Sequence, residues 1–351
     1  MKKGEKNITA RIIYIIVFMI IAIILIGGYI VYSRVFTPNI KAGKSIDLYI
    51  YIPTGSVFAD VKGIIAGQQL LIDNESFDWT ARQMNYDKKI KAGRYQVAER
   101  MNNHDLISLL RSGKQTPVKV TFNNIRTIEQ LAGRVSKLLE ADSVSIVEIF
   151  RNEDLLAKNG FNIYNGISIV IPNTYEFYWN SSATKFYERM YREYHSFWNA
   201  ERTDKAILIG LTKEQVSVIA SIVQQETQQN TEKSIIAGVY INRFMKNWKL
   251  EADPTLVFAL GDFTIRRVLN EYKLIDSPYN TYLNYGLPPG PICIPSISSI
   301  DAVLDYAKHD FMFFCAKEDF SGFHAFAKTY DQHLANARKF QRALNKRGIL
   351  E

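Results

Sequence analysis

Residues 12–32 form a run of about 21 residues without a charge, built mainly from Ile, Val and Leu. That is the length a helix needs to cross a hydrocarbon core of roughly 30 Å. A chain with such a run near its start either keeps it in a membrane or loses it as a signal peptide, and the choice sets the compartment of everything downstream. The run is too long for a signal-peptide core and no small-residue cleavage pattern follows it, so an uncleaved anchor is expected. Lys2, Lys3, Lys6 and Arg11 precede the run, whereas only Arg34 and Lys41 follow it closely. This bias places residues 1–11 in the cytoplasm and the rest, from about Arg34, outside, and the location expected is an inner membrane with the exported part in the periplasm.

That placement removes nucleic acid and nucleotide cofactors from the partners, and no phosphate-binding glycine loop argues otherwise. The formal charge of +8 suits an anionic partner, of which lipid and the carboxylates of peptidoglycan stems are examples; charge alone does not choose among them. Cys293 and Cys315 lack metal-ligand spacing, and His104, His195, His309 and His333 show none either, so no metal is expected. Two scattered cysteines read more readily as small buried apolar residues than as a disulfide.

In the exported part, Leu48-Tyr-Ile-Tyr-Ile52 alternates as a strand, Pro53-Thr54-Gly55-Ser56 turns, and Val57, Val61, Ile64 and Ile65 fall at helical spacing. A second helical stretch from about Phe77 to Met84 and a strand at Tyr95 to Val97 complete a βααβ unit, expected over 45–113. The pattern repeats in part: Val118 to Phe122 alternates, Asn123-Asn124 turns, and Ile128, Leu131, Ala132, Val135 and Leu138 make a helical stripe. A second small α/β unit and joint are therefore expected over 114–200. Within it, Ile171 to Tyr178 should interrupt regular structure before a Tyr-rich helix from about Ala183 to Trp198. The fold class expected is α+β: an N-terminal transmembrane helix, the βααβ subdomain, and a mixed α/β domain over 201–345. A basic helix from Tyr330 to Leu350 reads as a solvated face.

Thr212 and Gln215 form a capping box that opens a helix with Val216, Ile219, Ala220, Ile222 and Val223 on one face. Glu226 falls on the same face, so its carboxyl should point along the apolar stripe. Desolvation there disfavours the charged form and raises the pKa, as a general acid working near neutral pH requires. A glutamate at a helix end that points to solvent is the plainer alternative. A second helix, opened by Thr231, should place Asn242 on its apolar face. Downstream come Asp253-Pro254-Thr255, Ser277-Pro-Tyr-Asn-Thr-Tyr282, Gly286-Leu-Pro-Pro-Gly290 and Phe323-His324-Ala-Phe326. Tyr rings can stack on pyranose faces, and Asn, Ser and Thr can bond hydroxyl and acetamido groups. Each motif alone is also ordinary turn chemistry. The residues singled out for a sugar groove are Asn242, Ser277, Tyr279, Asn280, Thr281, Tyr282, Pro288 and His324.

Taken together, these motifs resemble the endolytic murein transglycosylase family, also called YceG-like, from the apolar run to about Phe326. The most specific parts are Ala220-Ser-Ile-Val-Gln-Gln-Glu-Thr227, Ile241-Asn-Arg243, Asp253-Pro-Thr255, Ser277-Pro-Tyr-Asn-Thr-Tyr282 and Gly286-Leu-Pro-Pro-Gly290. The chain departs from the family where it has Asn173 in place of a frequent acidic residue, and Gln224 and Gln225 in place of Lys or Glu. The resemblance implies that Glu226 is the catalytic glutamate and that peptidoglycan glycan strands are the substrate, with no cofactor. It implies non-hydrolytic cleavage of the β-1,4 bond from MurNAc to GlcNAc, leaving 1,6-anhydro-MurNAc ends, and a role in ending glycan elongation, with peptidoglycan synthases as candidate partners. The βααβ unit looks like a LysM-type glycan-binding module, with a purely structural spacer as the alternative. Two other functions stay open: a non-catalytic membrane-anchored scaffold, and a glycan hydrolase pairing Glu226 with Asp253.

Overall fold

The computed structural model describes residues 2–41, 48–123 and 125–348. It opens on α1 (Lys2–Phe36), of which Ala10–Phe36, 27 residues, is long and apolar enough to cross a membrane. At 1.5 Å of rise per residue this stretch is about 40 Å long. Its Ile, Val, Leu and Phe side chains are exposed on all sides, as a lipid-facing helix with an internally bonded backbone requires. The chain then divides into two compact units, residues 1–118 with 176–180, and residues 119–175 with 181–351.

The first unit runs β1 (Leu48–Ile52), α2 (Phe58–Gly67), α3 (Asn74–Gln83), β2 (Gly93–Val97) and α4 (Asn103–Ser112). The two strands are antiparallel, with Leu48 opposite Val97 and Ile52 opposite Gly93. A two-stranded ribbon is marginal by itself. Here its inward residues Ile50, Ile52 and Tyr95 are covered by Val61 and Ile65 of α2, Phe77 and Ala81 of α3, and Leu106, Ile107 and Leu110 of α4. The strand at 95–97 and the two helices fall where the alternation and spacing predict. α3 starts earlier than Phe77 because Asp73 caps it, accepting the N–H groups of Glu75 and Ser76. Residues 45–47, at the start of the expected βααβ unit, lie outside the described residues.

A buried polar knot ties α1 to this core. The Asn103 side-chain amide donates to the Arg34 carbonyl at 2.8 Å, and the Asn39 amide donates to Asp73 O at 2.7 Å and Asn103 Oδ1 at 2.8 Å. Asn39 and Asn103 are buried, so these bonds answer groups that water cannot reach and fix where α1 ends.

The second unit contains β3 (Val118–Thr121, whose first residue belongs to the first unit), α5 (Ile128–Val135), α6 (Ser143–Phe150), α7 (Glu153–Lys158) and β4 (Thr174–Phe177, whose last two residues belong to the first unit). Next come α8 (Ala183–Phe197), α9 (Ala200–Leu208), α10 (Lys213–Glu226), α11 (Lys233–Met245), α12 (Asp253–Leu260) and α13 (Ile297–Leu304). It closes with the hairpin of β5 (Phe313–Ala316) and β6 (His324–Ala327), and with α14 (Tyr330–Lys346). The segment expected to interrupt regular structure holds β4, which pairs with β3. Its period of two, with Tyr175 and Phe177 buried and Thr174 and Glu176 outward, is masked in the sequence by the density of aromatics around it.

α10 is the core of this unit. Val216 to Val223 are buried without interruption, so the helix is enclosed on all sides and not only along the stripe that its apolar residues predict. The serines on its other faces allow this, because Ser217 Oγ donates to Lys213 O and Ser221 Oγ to Val218 O, leaving no unbonded hydroxyl. α11 and α13 pack against it. Gly238 lets α11 approach the 307–309 segment closely, since a Cβ there would stand 2.5 Å from the Ala307 carbonyl oxygen. α11 begins at Lys233, after a single 3-10 turn at Asn230–Glu232, and so is not opened by Thr231.

Candidate active site

Glu226 is the last residue of α10, and Thr227 behind it is already extended. The capping box fixes where α10 starts, and the uninterrupted packing of Val216 to Val223 carries the helix to an end at the edge of the core. Glu226 is half-buried and lines the cavities beside it. Tyr240 of α11 donates its hydroxyl to Glu226 Oε1 at 2.5 Å. Burial raises the Glu226 pKa to about 7, the Tyr240 hydrogen bond pulls it down, the Asp253 charge pushes it up and the Arg243 charge pulls it down. Tyr240 is itself 2% exposed, and burial next to Glu226 drives its own pKa well above the ordinary value. It therefore stays protonated and acts only as a donor.

Arg243, about one turn further along α11, is held rigidly. Its Nε donates to Met312 O at 2.7 Å and its guanidinium to Leu250 O at 2.7 Å, with Glu251 Oε2 at 3.4 Å. The second carboxylate, Asp253, is the first residue of α12 and accepts the Tyr282 hydroxyl at 2.5 Å. Each carboxyl thus holds one phenol, and each phenol is kept neutral by burial beside a negative group.

Glu226 and Asp253 line two cavities in common. One, of about 490 Å³, continues over Arg126, Gln225, Phe263, Arg266 and Val268. The other, of about 370 Å³, continues over Tyr240, Arg243, Tyr282, Phe314, Tyr330 and His333. A third, of about 400 Å³, shares Arg126 and Gln225 with the first. Glu226 accordingly lines the first two cavities, and Gln225 beside it lines the first and the third.

Of the residues singled out for sugar contact, the structure brings Tyr282 into these cavities with Glu226. Asn242 donates its amide to His309 O at 2.7 Å and Phe311 O at 3.0 Å, tying α11 to the strand approach. Asn280 is fully buried: its amide donates to Lys273 O and Ile275 O, and its Oδ1 accepts from the N–H groups of Tyr282 and Leu283. Thr281 bonds Thr255 Oγ1 at 2.9 Å and accepts from Ala252 N–H at 3.0 Å, so it positions the start of α12 and with it Asp253. Ser277 Oγ accepts from Tyr279 N–H, and the Tyr279 ring lies 4.6 Å from Phe258. Pro288 is buried. His324, on β6, contacts Glu232 through Nδ1 at 3.0 Å and through its N–H at 2.9 Å.

A family model described as the YceG-like family matches residues 50–339, most of the chain. The chain belongs to the YceG-like family. A relative from Bacillus subtilis named endolytic murein transglycosylase is 26% identical over 92% of this chain and 93% of its own length. A relative of the same name from Streptococcus pneumoniae is 25% identical over 89% of this chain, which spans 62% of that longer protein. A solved yceG-like protein from Listeria monocytogenes shares the fold with a TM-score of 0.58 and 26% identity, over 82% of this chain and 98% of that one.

Within this YceG-like framework the sequence alone does not reveal Tyr240 and Arg126 as neighbours of the site. Tyr240 stands 14 residues beyond Glu226, on a separate helix, and only the turn between α10 and α11 brings the two together. Arg126 reaches Gln225, its neighbour at 2.6 Å, across 99 residues of sequence. The one signal available for Tyr240 is its place on the buried face of α11 with Ile236 and Arg243.

Proposed function

We propose that the chain is a membrane-anchored lytic transglycosylase of peptidoglycan, with Glu226 as its acid and base. The observation that carries this reading is the carboxyl at the meeting of two cavities, with a pKa near 7 set by burial. Such a group is protonated often enough near neutrality to act as acid and ionised often enough to act as base. The names of the relatives supply the substrate.

The chemistry follows from one such carboxyl. Protonated Glu226 gives its proton to the glycosidic oxygen as the bond from C1 of the muramyl residue breaks, and GlcNAc leaves with its hydroxyl restored. The Tyr240 hydroxyl stabilises the carboxylate this creates. That carboxylate then takes the proton of the muramyl C6 hydroxyl while its oxygen bonds to C1, closing the 1,6-anhydro ring and regenerating the acid. The nucleophile is tethered to the centre it attacks, an advantage over bulk water that can amount to several kcal/mol. A groove open on both sides of Glu226 suits cleavage within a strand.

A hydrolytic outcome is the second reading, and Asp253 favours it, because two carboxylates lining one cavity are what glycosidases use to activate water. Against it, the Asp253 carboxylate is engaged by Tyr282. Mass spectrometry of purified peptidoglycan digested by the full chain in detergent separates the two. Anhydro-muramyl ends, lighter by one water than reducing ends and missing with Glu226→Gln, support the transglycosylase; reducing ends send the role of base or nucleophile to Asp253. The remaining parts of the reading are an α1 anchor that leaves the catalytic part outside the inner membrane, a LysM-like glycan-binding role for 45–113, a joint over 114–200, a catalytic domain over 201–345, and synthases as partners. Tyr282 is the sugar-contact residue that lines the groove.

A further inference from the structure

The third cavity is lined by Asn123, Arg126, Pro172, Gln224, Gln225, Gln228, Ile294 and Ser296. Its character differs from that of the groove around Glu226: among the described residues that line it there is no aromatic ring for a sugar to stack on, and no acidic side chain. It has positive charge and side-chain amides. Of these, Gln224 Oε1 accepts from the Ser296 and Ser299 hydroxyls, and Gln225 is bonded at both ends, by Arg126 and to Cys293 Sγ. That leaves the Gln224 N–H groups with Asn123 and Gln228 to face a ligand. Arg126 donates to Gln225 Oε1 at 2.6 Å and lies over the Phe263 ring, with no carboxylate partner among the described residues. Directly behind Gln224 and Ser296 stands Lys233, 4% exposed. Its Nζ is 3.1 Å from Ser298 Oγ and 3.4 Å from both Ser296 Oγ and Gln224 Oε1, and it too has no carboxylate partner among the described residues. A buried ammonium that meets only neutral oxygens is costly to keep, and burial accordingly lowers its pKa. The cost is offset when an anion arrives from outside.

Amides and two cations around a cavity without rings match a peptide that carries a carboxylate: side-chain amides bond peptide C=O and N–H groups, and a guanidinium bonds carboxylate. On the transglycosylase reading above, such a group hangs from the muramyl residue itself. We propose that this cavity takes the stem peptide of the muramyl residue at the cleavage point, with a stem carboxylate on Arg126 in the field of Lys233. Arg126 and Gln225 line both this cavity and the one that holds Glu226, so a stem seated here fixes the muramyl residue against the acid. The enzyme then discriminates between strands that keep their peptides and strands that have lost them.

The test uses the full chain in detergent micelles on two substrates, peptide-bearing glycan strands and the same strands stripped of their stems by an amidase. The expected result is a kcat/KM at least about tenfold higher on peptide-bearing strands. Arg126→Gln and, separately, Lys233→Met should each bring that ratio toward one, mainly through KM on the peptide-bearing substrate. Lys233→Met removes an unpaired buried charge and so should not impair folding, which keeps the result readable if Arg126→Gln misfolds. Equal cleavage of the two substrates by the unaltered chain overturns the proposal, as does an unchanged ratio in both variants. A chain that cleaves neither substrate overturns the transglycosylase reading, and this proposal with it.

Discussion

The end of α10 and the loop at residues 277–284 are both dense in polar residues, yet they use them in opposite ways. In the loop, Asn280 makes four internal bonds and Thr281 two, so that the polar groups answer one another and hold α12 in place. At the end of α10 the half-buried Glu226 carboxyl has, among the described residues, one neutral donor, Tyr240, and otherwise faces open space. A motif rich in Asn, Ser, Thr and Tyr therefore does not by itself indicate ligand contact. The count of bonds left unmade does.

The largest expected effect in that contrast falls on Glu226. Glu226→Gln keeps the shape and the Tyr240 contact but cannot transfer a proton, so cleavage should fall by about 10²–10⁴-fold with the circular dichroism spectrum unchanged. Asn280→Ala should do the reverse. It strands buried carbonyls and N–H groups at a cost of about 2–4 kcal/mol, visible as a lower unfolding midpoint, with a much smaller loss of activity in the molecules that stay folded. If Asn280→Ala removes activity and leaves stability untouched, the division between scaffold and site is wrong.

The raised pKa of Glu226 also makes a stability prediction. The folded state holds this proton more tightly than the unfolded chain, so the associated stability is fully present below about pH 4.5 and is lost as the pH rises to about 7. The difference is on the order of 3 kcal/mol. Glu226→Gln should thus match the unaltered protein near pH 4 and exceed it near pH 8 in thermal unfolding. A smaller effect is expected from Tyr240→Phe. Loss of the one bond that favours the carboxylate should move the alkaline limb of kcat/KM upward by roughly one pH unit, with activity reduced about tenfold. A limb that moves down would mean that Tyr240 favours the acid form.

Much of this was legible in the sequence where the pattern is local. The apolar run, the alternation of Leu48 to Ile52, the Thr212 capping box and the position of Glu226 all follow from spacing over one or two turns. What was not legible depends on contacts between distant segments. The partner of Glu226 comes from α11, and Thr231 does not open that helix because Glu232, paired with His324 of β6, takes the N-cap position without using its side chain as a cap. β4 was hidden because aromatic residues on both sides of it obscured the period of two. The roles of Asn242 and Asn280 could not be read from residue type, since an amide bonds a backbone carbonyl as readily as an acetamido group.

The most direct measurement is the titration of the Glu226 carboxyl itself, by carbon-13 NMR of glutamate-labelled protein with Glu226→Gln as the assignment control. A single resonance that titrates near pH 7 and is missing in the variant is the result expected. If every glutamate resonance titrates near pH 4.5, burial does not hold the proton on Glu226, and the acid at the centre of this account is lost.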